Sequence, residues 1–340
     1  MTTSNITHFL PFLLLFAVLA VWINGSCAKV PDEDDHAAFL GAPICPSPDN
    51  SLYYRPVIGI LTHPTDGAGG KLNKTSYIPA SYVKFVESGG ARVIPIIYDE
   101  HEDTITHKLE LVNGVLFTGG FMTLPSYTNV AKKIFQTVLH KNEAGNHFPL
   151  YGMALGFEQL IHFVGKNPNI MEKIAAYDQA SKLNFYTRDL GGTVFQSFPP
   201  ELLNKMSTKC LAMHNSGVGI SRERFEKNST HLPSFFKVLT TSVDAKNKEF
   251  VSTAQAYNYP IVGFQWVPPK NAFEWGNRKI PRTEDAIRVT QQTANYFISE
   301  ARKSKTKPDE TEVLAHLIYN YQPVYTGKEG KGYDQVYFFP

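Results

Sequence analysis

An excess of positive or negative charge is missing from this sequence. Lys and Arg number 33 against 31 Asp and Glu, net +2, and no basic block stands out. That excludes a nucleic-acid surface of the usual electrostatic kind. Cysteine is scarce: Cys27, Cys45 and Cys210 are all there is in 340 residues. Cys27 falls in a segment expected to be removed, which leaves two readings for the others. They form a Cys45–Cys210 disulfide in an oxidising compartment, or they are two buried thiols. Apolar runs long enough to span a membrane are absent beyond the N-terminus. The glycine-rich "TDGAGGKLN" lacks both a G-K-[ST] ending and a G-x-G-x-x-G, so it does not read as a phosphate cradle. No internal repeat occurs.

What is present starts with residues 1–28, which hold no Lys, Arg, Asp or Glu. Phe9 to Ile23 is a nearly unbroken apolar run of 15 residues, short of the roughly 20 a spanning helix needs. Small residues at Ser26 and Ala28 suit a signal peptidase, so the segment reads as a secretory signal cut near Ala28; an uncleaved anchor is the alternative. The mature chain is then expected in the secretory pathway, in the vacuole or the extracellular space, with no membrane contact. Sequons at Asn73 ("NKT") and Asn228 ("NST") fit glycosylation there. Residues 29–54 form an acidic, then proline-rich lead-in. Residues 55–304 form the main domain, and 305–340 a Tyr-rich extension whose rings either make a recognition surface or pack on the body.

Along 55–304, short apolar runs alternate with amphipathic stretches. "VIGIL", "ARVIPIIYD" and "LVNGVLFTGG" read as buried strands. "SYIPASYVKFVESGG" reads as a helix closed by Gly89 and Gly90. "NVAKKIFQTVLHKNEAGNH" reads as a helix with Val130, Ile134, Val138 and Leu139 on one face. "GTVFQSFP", "FFKVLTTSV", "EFVSTAQA" and "PIVGFQWVP" are later candidate strands. A last helix follows Thr283 as N-cap, with Ile287, Ala294, Phe297, Ile298 and Ala301 along one side. Such alternation predicts an α/β three-layer sandwich with a mostly parallel central sheet. Ligands in such sheets bind beyond the carboxyl ends of the strands, where "THP", "TGG" and "GMALG" fall.

"HFPLYGMALGFEQL" is the most informative stretch. An apolar strand, Pro149 to Met153, meets a glycine-flanked turn and then a helix, Gly156 to Val164. The pattern is that of a nucleophile elbow, whose central residue is normally the attacking one. Here it is Ala154, whose methyl group cannot attack anything.

"RPVIGILTHP", "SYVKFVESGGARVIP", "NGVLFTGG", "LGFEQL" and "YPIVGFQW…KNAFEW" together resemble the γ-glutamyl hydrolase family, of the class I glutamine-amidotransferase-like (flavodoxin-like) fold. The likeness runs from about Tyr54 to Ser304, and the tail resembles the plant branch. It implies a cysteine hydrolase, an omega peptidase, cutting γ-amide bonds of folylpolyglutamates and related compounds. It implies no cofactor and no metal. In the family a Cys at the elbow attacks, a His of a "QWHPEK" motif takes its proton, and the Glu of that motif orients the His. Carried over, those roles fall on Ala154, Val267 (in "QWVPPK") and Pro269, none of which can donate or accept a proton. A substrate-side His of the family falls on Ser216, with His214 two places earlier as a shifted candidate. The family's oxyanion hole maps to the Gly119–Gly120 turn and the Leu155 amide. Glu158 and Gln159 follow in the first helical turn, with Tyr77 and Arg92 as further pocket candidates.

Three functions remain open on this reading, and whether the chain is an enzyme stays open with them. The first is a γ-glutamyl-hydrolase-like protein that binds a γ-glutamyl or pteroyl ligand, or a partner, without cutting. A homodimer or pairing with an active paralogue would suit it. The second is a repurposed enzyme using the same pocket, with His63, His214, Ser216 and Glu158 as its candidates. The third is a conventional folate γ-glutamyl hydrolase.

Overall fold

Strand β1 (Val57–Leu61) is buried on both faces, with Ile58 and Ile60 in one hydrophobic cluster and Val57 and Leu61 in the other. A strand sandwiched between two helical layers has that character. The computed structural model describes residues 47–65, 76–120, 124–227, 231–327 and 332–340. The expected signal segment, Asn73, Asn228 and Cys45 lie outside them. Asn50–Pro340 forms one compact unit.

The elements then run β2 (His63–Pro64), β3 (Ser76–Pro79), α1 (Ala80–Ser88), β4 (Arg92–Ile96), α2 (Glu102–Glu110), β5 (Gly114–Phe117), α3 (Pro125–Glu143), β6 (Leu150–Met153) and α4 (Leu155–Gly165). There follow β7 (Glu172–Ser181), β8 (Asn184–Phe185), α5 (Pro200–Thr208), β9 (Ala212–Gly219), α6 (Arg222–Lys227) and α7 (His231–Phe235). The chain continues through β10 (Phe236–Val243), β11 (Glu249–Ala256), β12 (Ile261–Phe264), α8 (Lys270–Phe273), α9 (Glu284–Arg302), α10 (Glu310–His316), β13 (Val324–Tyr325) and β14 (Gln335–Phe339).

The main sheet has the order β4-β1-β5-β6-β12-β11-β10-β8. Its first five strands pair in parallel and the rest antiparallel. Helices α1 and α9 pack on one face through Tyr82, Phe85, Ala294 and Phe297. Helices α3 and α4 cover the other through Tyr127, Ile134, Leu160 and Ile161. This is the expected three-layer α/β sandwich. No helix among the described residues is long and apolar enough to cross a membrane.

Three local readings change. Ser76–Pro79 is strand β3, and the helix begins only at Ala80; a residue preceding proline favours extended backbone, which holds Ile78 out of the helix. "GTVFQSFP" is a run of turns, with Gln196 N–H donating to Thr193 O and Phe198 N–H to Phe195 O. Its Val194, Phe195 and Phe198 are core residues, so the apolar signal reports burial without a strand. Ile287 is exposed, and Ala286 and Val289 fill the buried side of α9 instead. In the tail, β14 pairs antiparallel with β3, and Tyr321, Tyr333 and Tyr337 pack against the core, while Tyr319 and Tyr325 stay exposed.

Candidate functional site

Parallel pairing brings the ends of β5, β6 and β12 side by side, and the elbow sits at that edge. Ala154, between β6 and α4, has φ 48° and ψ −110°. That region is strained for any residue with a Cβ. Its N–H donates to Phe264 O of β12 (2.7 Å), and Gly156 N–H donates to Thr118 O after β5 (3.1 Å). Both neighbouring strands therefore hold the turn. A Cβ on Gly156 would lie 2.4 Å from Phe117 O, so only glycine lets α4 approach this closely. The elbow holds this strained conformation with the Ala154 methyl group at its centre.

The first amide of α4, Leu155 N–H, has no preceding turn of helix to pair with, and α4 presents its positive end here. Gly119 lies beside the elbow: a Cβ added to it would come within 3.3 Å of the Ala154 Cβ. Its N–H, however, donates to the buried Tyr82 hydroxyl at 2.9 Å. Gly120 packs against the His63 ring, which would lie 2.0 Å from an added Cβ. Of the two turn glycines, Gly120 is the one on the wall of the adjoining cavity.

That cavity, about 720 Å³, opens over Ala154 and Leu155 and is lined by Gly120, Glu158, Ser216, Lys132 and Tyr177, among others. Glu158 and Ser216 meet in it: Ser216 Oγ is 2.9 Å from Glu158 Oε1. Gln265 Nε2, from the segment after β12, donates to the same oxygen at 3.0 Å. Burial raises the Glu158 pKa, against the lowering effect of the hydrogen bonds from Gln265 and Ser216.

The other candidates scatter. Gln159 is buried and lines the same cavity. His214 is fully buried behind it, 5.1 Å edge-on from Phe250, with Nε2 3.3 Å from Ser252 Oγ. Burial depresses its pKa to about 3. His63 is buried between Tyr77 and Tyr127, at centroid distances of 5.4 and 5.2 Å, with Nδ1 2.9 Å from Pro64 O. Arg92 pairs with Glu310 of the extension at 2.6 Å. Val267 shares a buried apolar cluster with Ala154, and Pro269 is the N-cap of α8. Cys210 is exposed.

Sequence reasoning passed over Gln265, Tyr82 and Lys132. Gln265 was visible inside the "QWVPPK" stretch, but its aim at Glu158 depends on how β12 sits beside α4. Tyr82 and Lys132 carry no motif at all.

These features define an α/β protein whose parallel sheet edge carries a strained strand-to-helix elbow under an open cavity. Residues 56–268 match the peptidase C26 family. The chain is 55% identical over 302 residues to γ-glutamyl hydrolase 1 of Arabidopsis thaliana, spanning 88% of this chain and 86% of that one. It is 51% identical over 300 residues to γ-glutamyl hydrolase of Glycine max, with 87% of each chain covered. To γ-glutamyl hydrolase of Homo sapiens it is 35% identical over 296 residues, covering 86% of this chain and 92% of that one. The chain thus belongs to the γ-glutamyl hydrolase family, peptidase C26. With the sheet topology described above, its fold is of the class I glutamine-amidotransferase type.

Proposed function

We propose that this protein binds a γ-glutamyl ligand, a folylpolyglutamate or a related compound, in the cavity above the elbow without cleaving it by the family's Cys-His-Glu route. The observation that carries this reading is Ala154. It retains the strained elbow conformation (φ 48°) but has no nucleophilic atom. Val267 and Pro269, at the family's base and orienting positions, are apolar, so no thiolate, base or orienting group stands in the triad. What remains suits binding. The Leu155 amide and the N-terminal end of α4 attract an anion such as a glutamate carboxylate, and Lys132 on the cavity wall adds a cation. A second copy or an active paralogue is the partner this reading favours. We place the protein in the secretory pathway with a signal cut near Ala28, glycans on Asn73 and Asn228, and residues 305–340 as an appended segment.

A second reading, a repurposed enzyme, is favoured by the buried Glu158–Ser216 pair in the same cavity. It expects a product from some other substrate that is lost in Glu158→Gln.

Mass spectrometry of the purified full chain with pteroyl-pentaglutamate tests the main reading. A variant carrying Ala154→Cys, Val267→His and Pro269→Glu runs beside it. The natural chain is expected to be slower than an active family member by roughly 10⁶-fold, and the restored variant to release glutamate. Cleavage by the natural chain would sink the reading and return the protein to conventional hydrolysis. Saturable binding of the uncleaved ligand, measured by calorimetry, separates a binder from a rebuilt pocket.

A further inference from the structure

Away from the elbow, helix α10 of the C-terminal segment lies against α2 of the main domain. There, three side chains converge: His107 in the last turn of α2, and Glu312 and His316 one turn apart on α10. One ligand atom from each lies within 4.8 Å of the other two. His107 Nε2 is 3.3 Å from Glu312 Oε2. That is close to the ~3.4 Å separating two ligands of a tetrahedral ion with bonds of about 2.1 Å. The His107 and His316 rings meet edge to face, 5.7 Å between centroids.

His316 Nδ1 is 2.9 Å from the Glu312 carbonyl oxygen and donates to it. The bond fixes the tautomer with a lone pair on Nε2. A histidine held by one nitrogen on a backbone carbonyl, with the other turned to a metal, is the usual arrangement in metal sites. The neighbouring charges are already engaged: Glu310 takes Arg92 and Arg55, and Lys108 takes Glu100. The trio therefore offers two imidazoles and one carboxylate to an ion from solvent. His107 and Glu312 are half exposed, which leaves room for a water in the fourth position.

We propose that His107, Glu312 and His316 form a binding site for a divalent transition ion, zinc first, which clamps the C-terminal segment onto the main domain. The donor set decides the ion. Imidazole with carboxylate suits zinc, copper and nickel, whereas magnesium and calcium take oxygen ligands. A clamp also fits the weakness of the alternative, since an exposed His–Glu contact alone contributes little. An ion that bridges α2 and α10 stabilises the folded state in proportion to its occupancy.

Isothermal titration of the full chain with Zn²⁺ alone, and with Mg²⁺ as control, tests this. One saturable zinc site is expected, with no magnesium heat. His107→Ala and His316→Ala each weaken it by ~10-fold or more, and zinc raises the melting temperature of the natural chain but not of His316→Ala. All three side chains are at least partly exposed, so these variants keep the fold; circular dichroism checks that, and Glu312→Gln provides an independent variant. No saturable zinc binding overturns the proposal. So does a zinc site whose affinity is untouched by all three substitutions.

Discussion

Ser216 Oγ and Glu158 Oε1 lie 2.9 Å apart on the cavity wall, joining β9 to α4. The hydroxyl carries one proton yet also faces Val218 O at 2.8 Å. It donates to one of the two at a time, while Gln265 Nε2 donates to the same Glu158 oxygen; burial outweighs these bonds and shifts the Glu158 pKa upward. A carboxyl with a raised folded-state pKa binds its proton more tightly in the native chain. Stability then falls as pH rises from the ordinary carboxylate range toward the raised value. Glu158→Gln removes that dependence. Urea unfolding at about pH 4 and about pH 7 should show the variant gaining on the natural chain at the higher pH. An equal difference at both would contradict a raised Glu158 pKa.

Ala154 offers a test of stored strain. A non-glycine residue at φ 48° and ψ −110° costs on the order of 1–3 kcal/mol. Ala→Gly ordinarily destabilises by about 0.5–1 kcal/mol through unfolded-state entropy. Here the relief exceeds the loss, so Ala154→Gly is expected to match or exceed the natural melting temperature. The gain should be of the order of a few degrees. A drop of several degrees would mean that the elbow is relaxed in solution.

His214 sets part of the acid limit. Its folded pKa is held at about 3, chiefly by burial, against an ordinary 6.5. The unfolded chain therefore takes up a proton that the native chain refuses. Stability is fully present above about 6.5 and declines as pH falls toward about 3. His214→Gln should flatten the fall of the unfolding midpoint across that window. The comparison is a pair of pH–stability curves for variant and natural chain. Parallel curves would show that another group governs acid unfolding.

Much of this was legible because some signals are local. β1 and β5 read as continuous apolar runs, since a parallel strand is buried on both faces. Thr283 announces α9, its side chain accepting from Ala286 N–H. "GMALG" reads as an elbow because Gly156 leaves α4 room against Phe117. The misread stretches show the limit of the same signals. Val194, Phe195 and Phe198 are as apolar as a strand, but no neighbouring chain offers them a ladder. Ile287 is as apolar as Ala286 and Val289, but the helix turns those two into the core and Ile287 toward solvent.

The alternation of strands and helices, the glycine-flanked elbow and the residue at its centre are determined by the chain itself. They follow from hydrophobic period, glycine spacing and residue identity, which act within a dozen residues. Only the tertiary structure decided which polar groups share a cavity. Glu158 meets Ser216 across 58 residues of sequence and Gln265 across 107, and His107 meets Glu312 across 205. His214, two positions from Ser216, turns into the core behind the cavity. Hydrogen bonds and ligand fields depend on distances of a few ångströms, and only the packing of distant elements sets those distances.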